Sequence, residues 1–251
     1  MKKIKHKSKS ARVHRPTYVV GYVGESLPAG FLSAWYNQEY GGPLHIRFPT
    51  SQSNAIIEAS HLDWKADVWL ESSVDAVSQW QTQIGWHHTG VAQVFPSFRI
   101  GVSRIDAVLF VARLGRGLTL LTGGTAYDLV SELYWNPSDW SDRILTKFCI
   151  EDHVHVHQEE LLTDGRQWFL TRGMVKFGLE EFEIFRPRGL SERPTKQRLL
   201  DLAYVCLNQG KSPKVGDRIP LPAHEMAAQV VKHRTVSTLR GQLNVREVDW
   251  D

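Results

Sequence analysis

The residues with the clearest chemical capacity are the histidines of His153-Val154-His155-Val156-His157. In a strand successive side chains alternate, so the three imidazoles would share one face while Val154 and Val156 take the other. Two imidazoles spaced this way can ligate one divalent metal, with Asp152, Glu159, Glu160, His87 or His88 as the source of a third ligand. A metal held in that manner lowers the pKa of bound water to about 7 and makes a hydrolytic nucleophile. The same run also reads as a solvated sheet face backed by core valines, or as a surface that titrates near neutrality.

Other stretches are less reactive. Tyr134, Trp135 and Trp140 flank the turn Asn136 to Asp139, and exposed rings there would suit a partner or ligand groove. Glu181 and Glu183 fall on one strand face opposite Phe182, which is ordinary amphipathic design. Gly210-Lys211-Ser212 ends like a phosphate-binding loop, but Val205 stands where its first glycine is required. His224-Glu225 opens a zinc-protease pattern whose second histidine is replaced by Ala228. Neither GxSxG nor a strand-following GxGxxG occurs. The common nucleotide, hydrolase and dinucleotide fingerprints are therefore excluded, and a divalent metal is the one cofactor that the histidines would call for.

With 42% hydrophobic and 23% charged residues, the 251-residue chain falls among globular proteins and outside the disordered and collagen-like classes. Its two thiols, Cys149 and Cys206, form no CxxC pair and read as core residues of a reduced, cytoplasmic protein. No run approaches the ~20 apolar residues of a membrane span. Charge is unevenly placed: residues 1–15 carry seven Lys and Arg and no acid, so the rest of a chain of net +3 stands at −4. Residues 1–16 are accordingly expected as a disordered basic tail, either solvated or in contact with nucleic acid through phosphate neutralisation.

The periodicity predicts strands at Tyr18 to Val23, Leu44 to Phe48, Ala66 to Leu70 and His88 to Phe95, with a helix opened by Ser26 and Pro28 and another by Ser72 or Ser73. The order βαββαβ is that of a ferredoxin-like unit over residues 17–100, with two helices on one sheet face. Residues 101–251 read as a second α+β unit. Ser103 caps a helix ended by Gly115-Arg116-Gly117, Leu118 to Thr122 is a short strand, and Tyr127 to Tyr134 is helical. Further strands follow at Trp168 to Arg172 and Phe182 to Phe185, with helices at Lys196 to Leu207 and Ala223 to Lys232. The fold class is α+β: two associated α/β sub-units with mostly antiparallel sheets.

The segment Thr171-Arg172-Gly173-Met174-Val175-Lys176-Phe177-Gly178-Leu179-Glu180-Glu181-Phe182-Glu183-Ile184 resembles the T-x-G-[LM]-x-x-[FL]-G-x-x-E-[LFI]-E-[VI] ending of the bacterial family known as domain of unknown function 4261. Upstream, Trp86-His87-His88-Thr89-Gly90-Val91-Ala92, the helix near 103–114 and Tyr134-Trp135-Asn136-Pro137 are similar to that family's layout, so the resemblance spans roughly residues 60–190. It implies a cytoplasmic α+β protein without an assigned activity or catalytic residues. Because members of such families can sit beside toxin systems, it also implies an immunity-like or inhibitor-like binding role. The histidine run has no counterpart in the pattern.

The leading expectation is thus a non-enzymatic binding or regulatory protein whose partner is a protein or small ligand. The alternative is a metal-dependent hydrolase centred on His153, His155 and His157.

Overall fold

The computed structural model describes residues 16–24, 29–48, 55–85, 87–97, 103–160, 165–238 and 241–250. The basic tail 1–15, the Ser26 and Pro28 cap, and Trp86 lie outside them. The class is α+β, as the periodicity predicts, built on two mostly antiparallel sheets.

Tyr-Val-Val-Gly-Tyr of β1 (Tyr18–Tyr22) is buried at every position, because this strand lies between β5 (Gly90–Ser97) and β6 (Thr125–Asp128) and is covered on both faces. The first sheet has seven strands in the order β2-β3-β4-β5-β1-β6-β7. The others are β2 (His45–Arg47), β3 (Ala55–His61), β4 (Trp64–Glu71) and β7 (Leu133–Trp135), and every neighbouring pair is antiparallel. Tyr18, Val20 and Tyr22 face the main core under α1 (Ala29–Tyr40) and α4 (Arg104–Thr122). Val19 faces a smaller cluster with Val77 of α2 (Val74–Ser78) and Ile84 of α3 (Gln81–Ile84).

This arrangement departs from the ferredoxin-like expectation in two respects. Residues 55–61 add a strand, and the early helices pack on opposite faces of the sheet. The expected division at residues 100 and 101 also falls inside the first sheet, since β6 and β7 join it through β1.

The second sheet runs β11-β12-β13-β10-β9-β8, from β8 (His155–Glu160), β9 (Arg166–Arg172), β10 (Glu181–Pro187), β11 (Arg218–Leu221), β12 (Met226–Thr238) and β13 (Gly241–Trp250). Its one parallel pair is β10 with β13, and α6 (Glu192–Gln209) covers it with Leu199, Leu202, Ala203 and Cys206. The helix expected over residues 223–232 is instead the end of a 3₁₀ turn, Pro222–His224, followed by the start of β12. Its alternation of Ala228 and Val230 toward the core with exposed Gln229 and Val231 is a period-2 pattern that the preceding prolines obscure.

Helix α4 belongs to both cores. Every residue from Ala107 to Thr119 is buried, with Leu109, Phe110, Leu114 and Leu118 in the first core and Val108 in the second. Gly115 and Gly117 do not end it. A Cβ at Gly115 would lie 3.2 Å from the Tyr18 ring, and one at Gly117 would lie 2.6 Å from Trp35, so these glycines admit aromatic rings and the helix runs on to a left-handed Gly123. The strand expected at 118–122 is thereby helical. Arg113 and Arg116 are buried in α4 because each finds acceptors: Arg113 the carbonyls of Leu145 and Thr146, both at 2.9 Å, and Arg116 the Glu39 carboxylate and Tyr40 hydroxyl, also at 2.9 Å. The predicted helix 127–134 is instead the β6–β7 hairpin, in whose turn the Asp128 carboxylate accepts from the amides of Val130 and Ser131.

Candidate functional site

The three histidines separate. His155 and His157 stand on the exposed face of β8 with Val156 buried between them, as alternation requires. His153 does not join them. It lies in the turn before the strand, with φ −126° and ψ −26°, which breaks the alternation and turns its side chain into the interior at 1% exposure. A shared three-imidazole face therefore does not form. Among the described residues no group of three His, Cys, Asp or Glu side chains is placed to hold a metal ion.

The expected aromatic groove is also divided. Trp135 and Trp140 are buried and stack on each other at 5.0 Å in the first core, because Trp135 takes the inner face of β7 and Trp140 heads inward from α5 (Pro137–Ser141). Asn136 builds a capping box with Asp139 that fixes this helix start. Only Tyr134 is exposed, at 52%, and its hydroxyl donates to the Thr82 carbonyl at 3.1 Å. Of the two thiols, Cys206 is buried and Cys149 is exposed. The Cys149 thiol stands 2.9 Å from the Glu151 carboxylate, and burial together with that carboxylate pushes it up to about 11.

The polar groups that come together instead belong to residues 171–184, where the two sheets meet. Gly173 has φ +129° and lies so close to the His153 carbonyl and Val154 Cα that no side chain fits. The chain then makes a 3₁₀ turn, Met174–Phe177, closed by a left-handed Gly178. Glu181 at the start of β10 is buried and reaches back over this turn, accepting from the amides of Gly173 at 2.9 Å and Val175 at 3.3 Å and from the Thr171 hydroxyl at 2.8 Å. The Thr171 oxygen in turn accepts from the Phe182 amide, so the loop is locked to both flanking strands. Burial raises the Glu181 carboxyl above its usual range against the opposing pull of these donors.

With its backbone held, the turn sends Lys176 inward. Its ammonium pairs with the fully buried Asp128 carboxylate of β6, donates to the His153 carbonyl at 2.8 Å, and lies 5.8 Å from the centre of the Tyr18 ring. Burial, and then the charge of Asp128, holds the Tyr18 hydroxyl well above its usual value. The ion pair joins the first sheet to the loop of the second, and Arg172 with Glu132, at 3.8 Å, makes a second link across the same seam. Sequence reasoning missed Asp128, Lys176 and the burial of Glu181. The legible signal was Lys176 between apolar Val175 and Phe177, bracketed by two glycines.

Clefts open on both sides of this turn. One, of about 150 Å³, is lined by Thr17, Pro96, Val108, Val111, Val130 and Val175, with Lys176 at its base. Val175 is 47% exposed at its mouth. The Lys176 ammonium is already engaged by Asp128 and the His153 carbonyl, so the cleft presents apolar surface. The other, of about 340 Å³, is more polar and lies between the start of α4, at Ser103 and Arg104, and the end of α6, at Leu207 and Gly210. No family model, no curated protein and no solved structure matches the chain.

Proposed function

We propose that this is a non-enzymatic binding or regulatory protein whose partner inserts an apolar side chain into the cleft over Lys176. The observation that carries this reading is the cleft itself: a concave apolar site at the junction of two packed units, with its one ionisable lining residue already neutralised. At about 150 Å³ it is well below the roughly 300–1,000 Å³ of drug-sized ligand sites and about the size that admits benzene, which suits one protruding side chain better than a cofactor. An anchoring side chain in a desolvated pocket is the usual energetic centre of a protein interface.

Membership of the domain of unknown function 4261 family and an immunity-like role belong to the same proposal, supported by the way residues 171–184 build the seam beside the cleft. The free thiols of Cys149 and Cys206 support a reduced, cytoplasmic setting. Among the described residues no helix is long and apolar enough to cross a membrane.

Site-specific photo-crosslinking in the native cell tests the reading. A crosslinker at Val130 on the cleft should give one discrete protein adduct that is absent when the crosslinker sits at Val74 on α2, which is 80% exposed and does not line the cleft. The same adducts at both positions, or none at Val130, would remove the cleft from consideration.

A further inference from the structure

We infer that His153 makes the seam acid-sensitive: taking up a proton on its imidazole is incompatible with the packing around it, so acid loosens the junction between the two sheets.

The ring of His153 is sealed in. It stacks on Phe148 at 5.1 Å with the planes 4° apart, and it meets the edge of Phe177 at 6.3 Å. Neither ring nitrogen has a hydrogen-bond partner among the described residues. A neutral imidazole tolerates such a site as an aromatic filler, whereas an imidazolium brings a charge and a second N–H donor with no acceptor to receive them.

The neighbours add to the penalty. Lys176 holds its ammonium on the His153 carbonyl, and Arg143 contributes a second positive charge to the ring's surroundings. The nearby acids are committed elsewhere: Asp128 pairs with Lys176, Asp152 with Arg143, and Glu181 with the amides of the 173–175 turn. The buried Tyr18 hydroxyl supplies no charge. Burial above all, then the charges of Lys176 and Arg143, keeps the imidazole well below its ordinary range.

The sign follows by linkage. An opened seam returns His153 to an ordinary value of about 6.5, so below that pH the open form binds the extra proton and is favoured, while above it both forms are neutral and the effect vanishes. Glu181 and Asp152, whose carboxyls are raised, act in the opposite direction as pH falls, so only a comparison at His153 isolates its share.

Hydrogen exchange on the full chain at pH 7.5 and pH 5, corrected for intrinsic rates, reads the effect at residues 150–156 and 173–178. Between these values the opening should rise about 30-fold more in the native chain than in His153→Phe, the share of one histidine freed to titrate. An equal rise in both chains overturns the inference. A readout in the native chain covers the case in which the variant does not fold: the His153 Cε1 proton resonance should keep its neutral position until protection is lost. A smooth titration of that resonance near pH 6.5 with protection intact overturns the inference equally.

Discussion

His153 and His155 stand two residues apart, one sealed between Phe148 and Phe177 in the seam and the other on the open face of β8. In the seam the charged groups and the turn backbone are fixed by neighbours from other elements, Lys176 by Asp128, the 173–175 turn by Glu181 and the His153 carbonyl by Lys176, while the His153 ring nitrogens are left without a partner among the described residues. On the strand face the imidazoles meet solvent, and the edge of Trp168 lies 6.4 Å from His157. Identical side chains therefore differ in consequence because burial changes the cost of charge, and chemistry read from residue types alone weights the exposed pair and the buried one equally.

The largest expected effect breaks the seam. Lys176→Ala leaves the buried Asp128 carboxylate without its ion-pair partner, and should lower unfolding stability by about 3–5 kcal/mol in urea titration. A loss below about 1 kcal/mol would mean that the seam is wet. The aromatic residues give a comparison of intermediate size. Trp140→Ala removes a fully buried side chain from the first core and should cost about 3–5 kcal/mol, whereas Tyr134→Ala removes one exposed hydrogen bond and should cost about 1 kcal/mol. Equal costs by thermal denaturation would contradict the division of this cluster into core and surface. The smallest effect belongs to the open face, where His155→Ala and His157→Ala should each stay within about 0.5 kcal/mol and leave metal content unchanged by elemental analysis. Stoichiometric metal lost with either substitution would restore the hydrolase alternative.

Local patterning carried much of the fold. The alternation in 66–70, the apolar run of 18–22 and the Ser103 cap were legible because period and capping are local properties. Helix α4 was cut short because Gly115 and Gly117 look like terminators until Tyr18 and Trp35, far away in the chain, are seen to need the space. The β6–β7 hairpin was misread because its turn depends on the Asp128 side chain. The seam was legible only in part. Gly173, Lys176, Gly178 and Glu181 all lie in the segment that carries the family resemblance, but the partner Asp128 is 48 residues from Lys176 and no periodicity links them.

The most direct measurement is a double-mutant cycle on Lys176→Met and Asp128→Leu, followed by urea unfolding of all four chains. If the buried pair ties the two sheets, each single substitution is strongly destabilising, the double costs less than the sum of the two, and the coupling is about 2–3 kcal/mol. Single losses that add to within about 0.5 kcal/mol would show that the two charges do not act on each other, and that the seam is held by its apolar contacts alone.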